Sequence, residues 1–117
     1  MSFINENIYI DQGALYVKDW NLKTANGSAA DLSGLTLTGT VKKHPASANK
    51  TSLDGLISIV GDPLLGNIQL ATTANTFITL EPGKYFYEIE GFIAAANTAL
   101  RARLVQGVLF LDPYLNT

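Results

Sequence analysis

The chain has 117 residues and a formal charge of −2, with eight basic residues against ten acidic ones, one histidine and no cysteine. Those numbers exclude disulfides, thiolate metal sites and cysteine nucleophiles, and leave none of the basic footprint that a nucleic-acid binder sets against phosphate. Only 15% of the residues are charged, against roughly a quarter in an ordinary soluble domain. So weakly charged a surface suits a subunit that lives in an assembly.

One domain, 1–117, is expected, since a chain of this length buries about two-thirds of its unfolded surface and needs no staples. The opening MSFINENIYI has neither a basic n-region nor an apolar run of signal length. No stretch reaches the ~20 apolar residues of a membrane span. The expectation is a soluble chain with no membrane partner, made in the cytoplasm of the cell that expresses it.

Apolar residues recur with period two along most of the chain, the mark of half-buried strands. Residues 7–11 and 14–20 flank Gln12-Gly13, read as a tight turn between short strands. Residues 35–41 give the cleanest alternation: Leu35, Leu37 and Val41 face one way, Thr36, Thr38 and Thr40 the other. Threonine is β-branched and suits a half-exposed sheet face, so this reads as a strand with one wet side. The polar segment 44–50 reads as a mobile loop. Residues 53–60 follow with Ile57 and Ile59 on one face, then 66–71 with Ile68 and Leu70. A single helical turn is possible at 73–78. The run 85–93 directs Tyr85, Tyr87, Ile89 and Ile93 inward, 94–99 reads as a hairpin tip, and the last strand spans 102–111. Turn chemistry at Asn26-Gly27, Ser33-Gly34, Gly61-Asp62-Pro63 and Glu81-Pro82-Gly83 separates these runs. The fold class expected is all-β, an antiparallel sandwich of about seven to eight strands.

Candidates for chemistry are few. Glu88 and Glu90 share a strand face, but Tyr85, Tyr87 and Ile89 claim the core side, so the pair reads as outer-face carboxylates rather than a hydrolase dyad. His44 has no nucleophile or orienting acid placed near it by sequence. Asp11, Asp31, Asp54, Asp62 and Asp112 are scattered among turns, with no calcium-loop spacing. Pro82-Gly83-Lys84 lacks the spacing of a phosphate loop. No enzyme, cofactor or metal site is expected.

Two features point to binding instead. Tyr16, Lys18 and Trp20 lie on one strand face, with the two aromatics ~13 Å apart, and could pack on a partner subunit or stack on a sugar. The last strand is apolar on both sides: Leu104, Val108 and Phe110 are assigned to one face, Val105, Leu109 and Leu111 to the other. A two-layer sandwich needs only one apolar face, so the second is covered by a loop or by another chain. The candidate subunit interface is Val105, Leu109, Leu111, Tyr16 and Trp20.

Several pieces, in order, resemble the N-terminal Ig-like module of phage baseplate upper proteins. They are Asp31-Leu32-Ser33-Gly34 before an alternating strand ending Val41-Lys42-Lys43, then Gly66-Asn67-Ile68-Gln69-Leu70. Leu80-Glu81-Pro82-Gly83-Lys84-Tyr85-Phe86-Tyr87-Glu88-Ile89 follows, and Gln106-Gly107-Val108-Leu109-Phe110 closes the series. Glu88 stands where that family often has aspartate, and the family usually continues into further domains. The resemblance implies an Ig-like sandwich without catalytic residues, placed in a virion among other virion proteins as a homo-oligomer. A carbohydrate-binding module used in host adhesion is the alternative.

Overall fold

Among the described residues the period-two pattern folds into nine strands: β1 (Ile4–Asn5), β2 (Ile8–Asp11), β3 (Tyr16–Asn21), β4 (Thr36–Lys42), β5 (Thr51–Ser52), β6 (Ile57–Ile59), β7 (Asn67–Thr72), β8 (Gly83–Ala94) and β9 (Ala99–Asp112). The computed structural model describes residues 4–24, 26–44, 46, 50–73, 75–77, 80–94 and 99–113, with the backbone alone at 93–94 and 99–102. Six strands form the larger sheet, in which β1 and β2 both lie beside β9, followed by β8, β4 and β5. The smaller sheet has the order β3–β7–β6. The all-β sandwich expected from the sequence is the fold found.

Three details of the sequence reading change. Pairing is not wholly antiparallel: β1 and β2 run parallel to β9 in one continuous register, Ile4 opposite Val105 and Ile8 opposite Leu109. They are one edge strand interrupted at Glu6-Asn7. The turn at Gln12-Gly13 therefore joins no hairpin; it carries the chain from the larger sheet to the smaller. Gln12 anchors the crossing by donating its Nε2 hydrogens to the carbonyls of Phe77 and Leu80, at 3.0 and 2.7 Å.

The expected strand 53–60 is shorter than read: within it only β6 forms, in the smaller sheet, while β5, just before it, belongs to the larger. Between them Asp54 accepts the Gly39 amide proton at 3.0 Å, and Gly55 turns the chain at φ +84°. A left-handed φ of this kind favours glycine because it has no Cβ to clash. At 73–78 the described residues form turns, whereas Pro63–Leu65 makes a short 3-10 helix capped by Asp62, whose Oδ1 accepts from the Leu64 amide. Residues 95–98, at the expected hairpin tip, lie outside those described, as do parts of the 44–50 loop.

Between the sheets the core comprises Trp20, Leu22, Leu32, Leu53, Ile68, Leu70, Tyr87, Ile89 and Leu109 with their neighbours, all nearly inaccessible to solvent. Each fully buried aliphatic side chain contributes about 1.5–3 kcal/mol relative to exposure. The alternation of β8 places Tyr85, Tyr87 and Ile89 inside as expected; the side chain of Ile93 lies outside those described.

Glu6, at the break in the edge strand, ties the sheets together. Its amide donates to the Gln106 carbonyl at 3.0 Å and its own carbonyl accepts the Tyr87 hydroxyl at 2.5 Å. Its carboxylate accepts the Trp20 indole N–H at 2.8 Å and lies 3.0 Å from the Lys18 ammonium, both on β3. The close approach requires Gly107, where a Cβ would fall 2.0 Å from the Glu6 carbonyl oxygen. The central glycine of the last strand is therefore a steric requirement of the edge.

Candidate interaction surfaces

Four of the five residues expected at a subunit contact face the chain's own core. Val105, Leu109, Leu111 and Trp20 are all under 6% exposed, and Tyr16 is half-buried against the same cluster. On β3 the pattern divides Tyr16, Lys18 and Trp20 from Leu15 and Val17 as read, and the aromatic side turns inward. The physical reason is the Glu6 carboxylate, which satisfies the indole N–H and so permits burial of the whole ring. Leu15 and Val17 are left outside at 77% and 59% exposure. The protein itself therefore covers those four residues.

The last strand departs from simple alternation at a β-bulge. Ile89 pairs with Val105 but Glu90 pairs with Arg103, so Leu104 is an extra residue. Leu104 and Val105 consequently both point inward, at 1% and 0% exposure. A bulge of this type re-aims every side chain beyond it. Leu104 thus leaves the face it was expected to share with Val108 and Phe110.

That outer face is ordered by contacts among its own side chains. Reading across strands, its rows are Thr38–Glu90–Arg103, Thr40–Glu88–Gln106–Asn5, Lys42–Phe86–Val108, Lys84–Phe110–Tyr9, and Asp112–Asp11. The Tyr9 and Phe110 rings stack at 5.0 Å and 12°, although Tyr9 itself is 63% exposed. The Lys84 ammonium sits 5.4 Å from the centre of the Phe86 ring. Arg103 donates from Nε to Glu88 at 2.8 Å and from Nη1 to Gln106 at 2.9 Å. Gln106 in turn donates to Asn5 at 2.7 Å, carrying the network to the edge strand.

An open depression of about 510 Å³ lies within this face, lined by Asn5, Thr40, Lys42, Phe86, Glu88, Arg103, Gln106 and Val108 among others. Partial burial and the neighbouring Glu90 carboxyl raise the Glu88 carboxyl above its usual range, against the opposing pull of Arg103. Here a carboxylate pair exists, as outer-face residues beside an arginine. Among the described residues, no group of three or more His, Asp or Glu side chains comes together as a metal site. Among the described residues no helix is long and apolar enough to cross a membrane.

The outer face of the smaller sheet is built differently. Val17 pairs with Ala71, and the next row is polar, with Gln69 donating to Asp19 at 2.9 Å. Leu64 and Leu65, on the 3-10 helix, add exposed apolar surface at 57% and 53%. Sequence reasoning overlooked this region and Tyr9. Tyr9 was legible as the outward residue between Ile8 and Ile10, which are both buried; its stacking partner was not.

No family model matches the chain, and no curated protein matches it. Among solved structures it is similar to the N-terminal domain of phage TP901-1 ORF48, with a TM-score of 0.55 at 8% identity. The likeness covers 92% of this chain and 85% of that one. At so low an identity it is a likeness of fold.

Proposed function

We propose that this chain is a non-enzymatic structural module of a phage virion, in its tail, baseplate or neck, that works by packing against other virion proteins. The observation that carries this reading is the fold likeness to a phage protein's N-terminal domain over nearly the whole chain. The motif order of the sequence, which resembles phage baseplate upper proteins, supports it independently. We assign the sandwich to the Ig-like class. A β3–β7–β6 sheet against one containing β4, β8 and β9 matches the Ig connectivity of one sheet with the second, fourth and fifth strands and another with the third, sixth and seventh. The Tyr85 hydroxyl, donating to the Glu81 carbonyl at 2.6 Å, forms the tyrosine corner found at the start of that sixth strand.

Packing is the function this geometry suits. The outer face of the larger sheet combines aromatic surface with ordered, mutually bonded polar groups, the composition of a protein contact rather than of a reaction centre. The test is immunogold electron microscopy of purified particles with an antibody against this chain. Label at one fixed position on every particle is expected; label confined to lysate would overturn the proposal.

The carbohydrate reading rested on Tyr16 and Trp20 sharing an exposed face, and burial of Trp20 removes that platform. The exposed Tyr9 ring, stacked on Phe110, is the surface that would carry it instead. A glycan array with the native chain and Tyr9→Ala decides between them. Binding abolished by the substitution would favour adhesion over packing.

A further inference from the structure

The same face carries a charge and shape pattern that complements itself. On two neighbouring strands it sets Glu90 beside Arg103, Glu88 beside Gln106, Phe86 beside Val108, and Lys84 beside Phe110. A twofold axis lying parallel to the strands, midway between β8 and β9, exchanges these two columns while keeping every row level. Each acidic or aromatic member of β8 then meets its β9 counterpart in the other copy. Among the described side chains of this face, three cations (Lys42, Lys84, Arg103) stand against four carboxylates (Glu88, Glu90, Asp11, Asp112), so their mutual repulsion is small.

We propose that the outer face of the larger sheet is the self-association surface of this chain, two copies meeting face to face with Glu90 of each against Arg103 of the other. This rests on the reading of the chain as a packing module and names its partner as a second copy. The contact is isologous, as closed dimers require. With the axis along the strands the two sheets pack in the aligned manner, so that central and end rows meet level. Arg103 can serve both carboxylates because its guanidinium has five donors, of which Nε and Nη1 are engaged within the chain. Phe86 and Val108 supply the apolar centre.

Area fits a weak dimer. The fifteen residues of these rows, on a grid of about 4.8 Å by 6.8 Å, cover roughly 490 Å² per copy, or about 980 Å² in total. That is below standard interfaces and suits a weak contact that avidity in a repetitive assembly reinforces. The exposed Leu15–Val17 surface of the smaller sheet has no comparable pattern of opposite charges.

The experiment is sedimentation velocity of the full chain over a concentration series, with circular dichroism to verify folding. A monomer–dimer equilibrium is expected. Arg103→Glu and Glu90→Arg should each weaken it by about tenfold or more, because each places like charges opposite one another twice. Mixing the two variants should restore a heterodimer, since each mutant residue then faces its opposite. Loss of fold cannot imitate that recovery. Val108→Glu, which leaves the charge pairs intact, should also give monomer. A chain monomeric at every concentration, a dimer indifferent to these substitutions, or variants that fail to recover on mixing would overturn the proposal. None of those results would alter where the antibody binds on the particle, so the two proposals fail separately.

Discussion

The two outer faces of this sandwich share one alternating pattern and end in opposite states. On the larger sheet the outward residues are partly buried by one another, through the Tyr9–Phe110 stack, Lys84 over Phe86, and the Glu88–Arg103–Gln106–Asn5 chain of bonds. On the smaller sheet Leu15 and Val17 stand mostly in solvent, on an edge strand paired on one side only. Four adjacent long or paired strands give side chains neighbours on both sides, so a surface can order itself before any partner arrives. A three-strand sheet cannot do this for its edge. Preorganisation lowers the ordering cost of association, which is why the larger face is the one assigned to packing.

The largest effect should come from setting inside against outside on a single strand. Leu109→Glu places a charge in the core and should remove roughly 4 kcal/mol or more, so that no cooperative thermal transition survives. Val108→Glu, one residue away and outward, should melt within about 1 kcal/mol of the native chain. Equal losses for the two would mean that the outer face is structural.

Gly107→Ala should cost about 1–3 kcal/mol by overpacking. The loss should be local: hydrogen exchange should quicken first at the amides of β1, β2 and Glu6, whose carbonyl the new methyl would strike. Uniform quickening would show that the edge strand and the rest of the larger sheet open together.

A smaller effect concerns the link between the sheets. The Lys18 ammonium and the Trp20 indole hold the Glu6 carboxyl below its ordinary value of 4.5. A lowered acid contributes stability that is present above pH 4.5 and lost as pH falls through its folded value. Glu6 is more than a third exposed, so solvent screens most of this. With only one tryptophan in the chain, its fluorescence reports the contact directly. It should shift on acidification below pH 4.5, and Glu6→Gln should abolish that shift. The smallest effect is Val17→Thr, which should leave thermal stability within about 0.5 kcal/mol; a greater loss would show that the smaller face is also organised.

Much of this was legible along the chain because a strand's period of two is a local property. The inward set Tyr85, Tyr87 and Ile89, the wet threonines of β4, and the division of β3 into two faces all follow from alternation. The outward position of Glu88 and Glu90 was readable for the same reason. Which face of β3 turns inward was not, because the answer depends on Glu6, fourteen residues from Trp20 and on another sheet. The predicted contact of Val105, Leu109 and Leu111 failed as a surface for a related reason. A strand apolar on both sides does not say which side meets the opposite sheet.

The β-sandwich class, the course of most strands and the alternation of residues follow from the order of the chain, since these depend on neighbours along the backbone. The parallel course of β1 and β2 beside β9, the assignment of β5 and β6 to different sheets, and the bulge that turns Leu104 inward came from the fold. Each of those depends on which distant strand lies alongside. Pairing between strands a hundred residues apart leaves its mark in space, where Gly107 makes room for Glu6, and very little in the order of the residues.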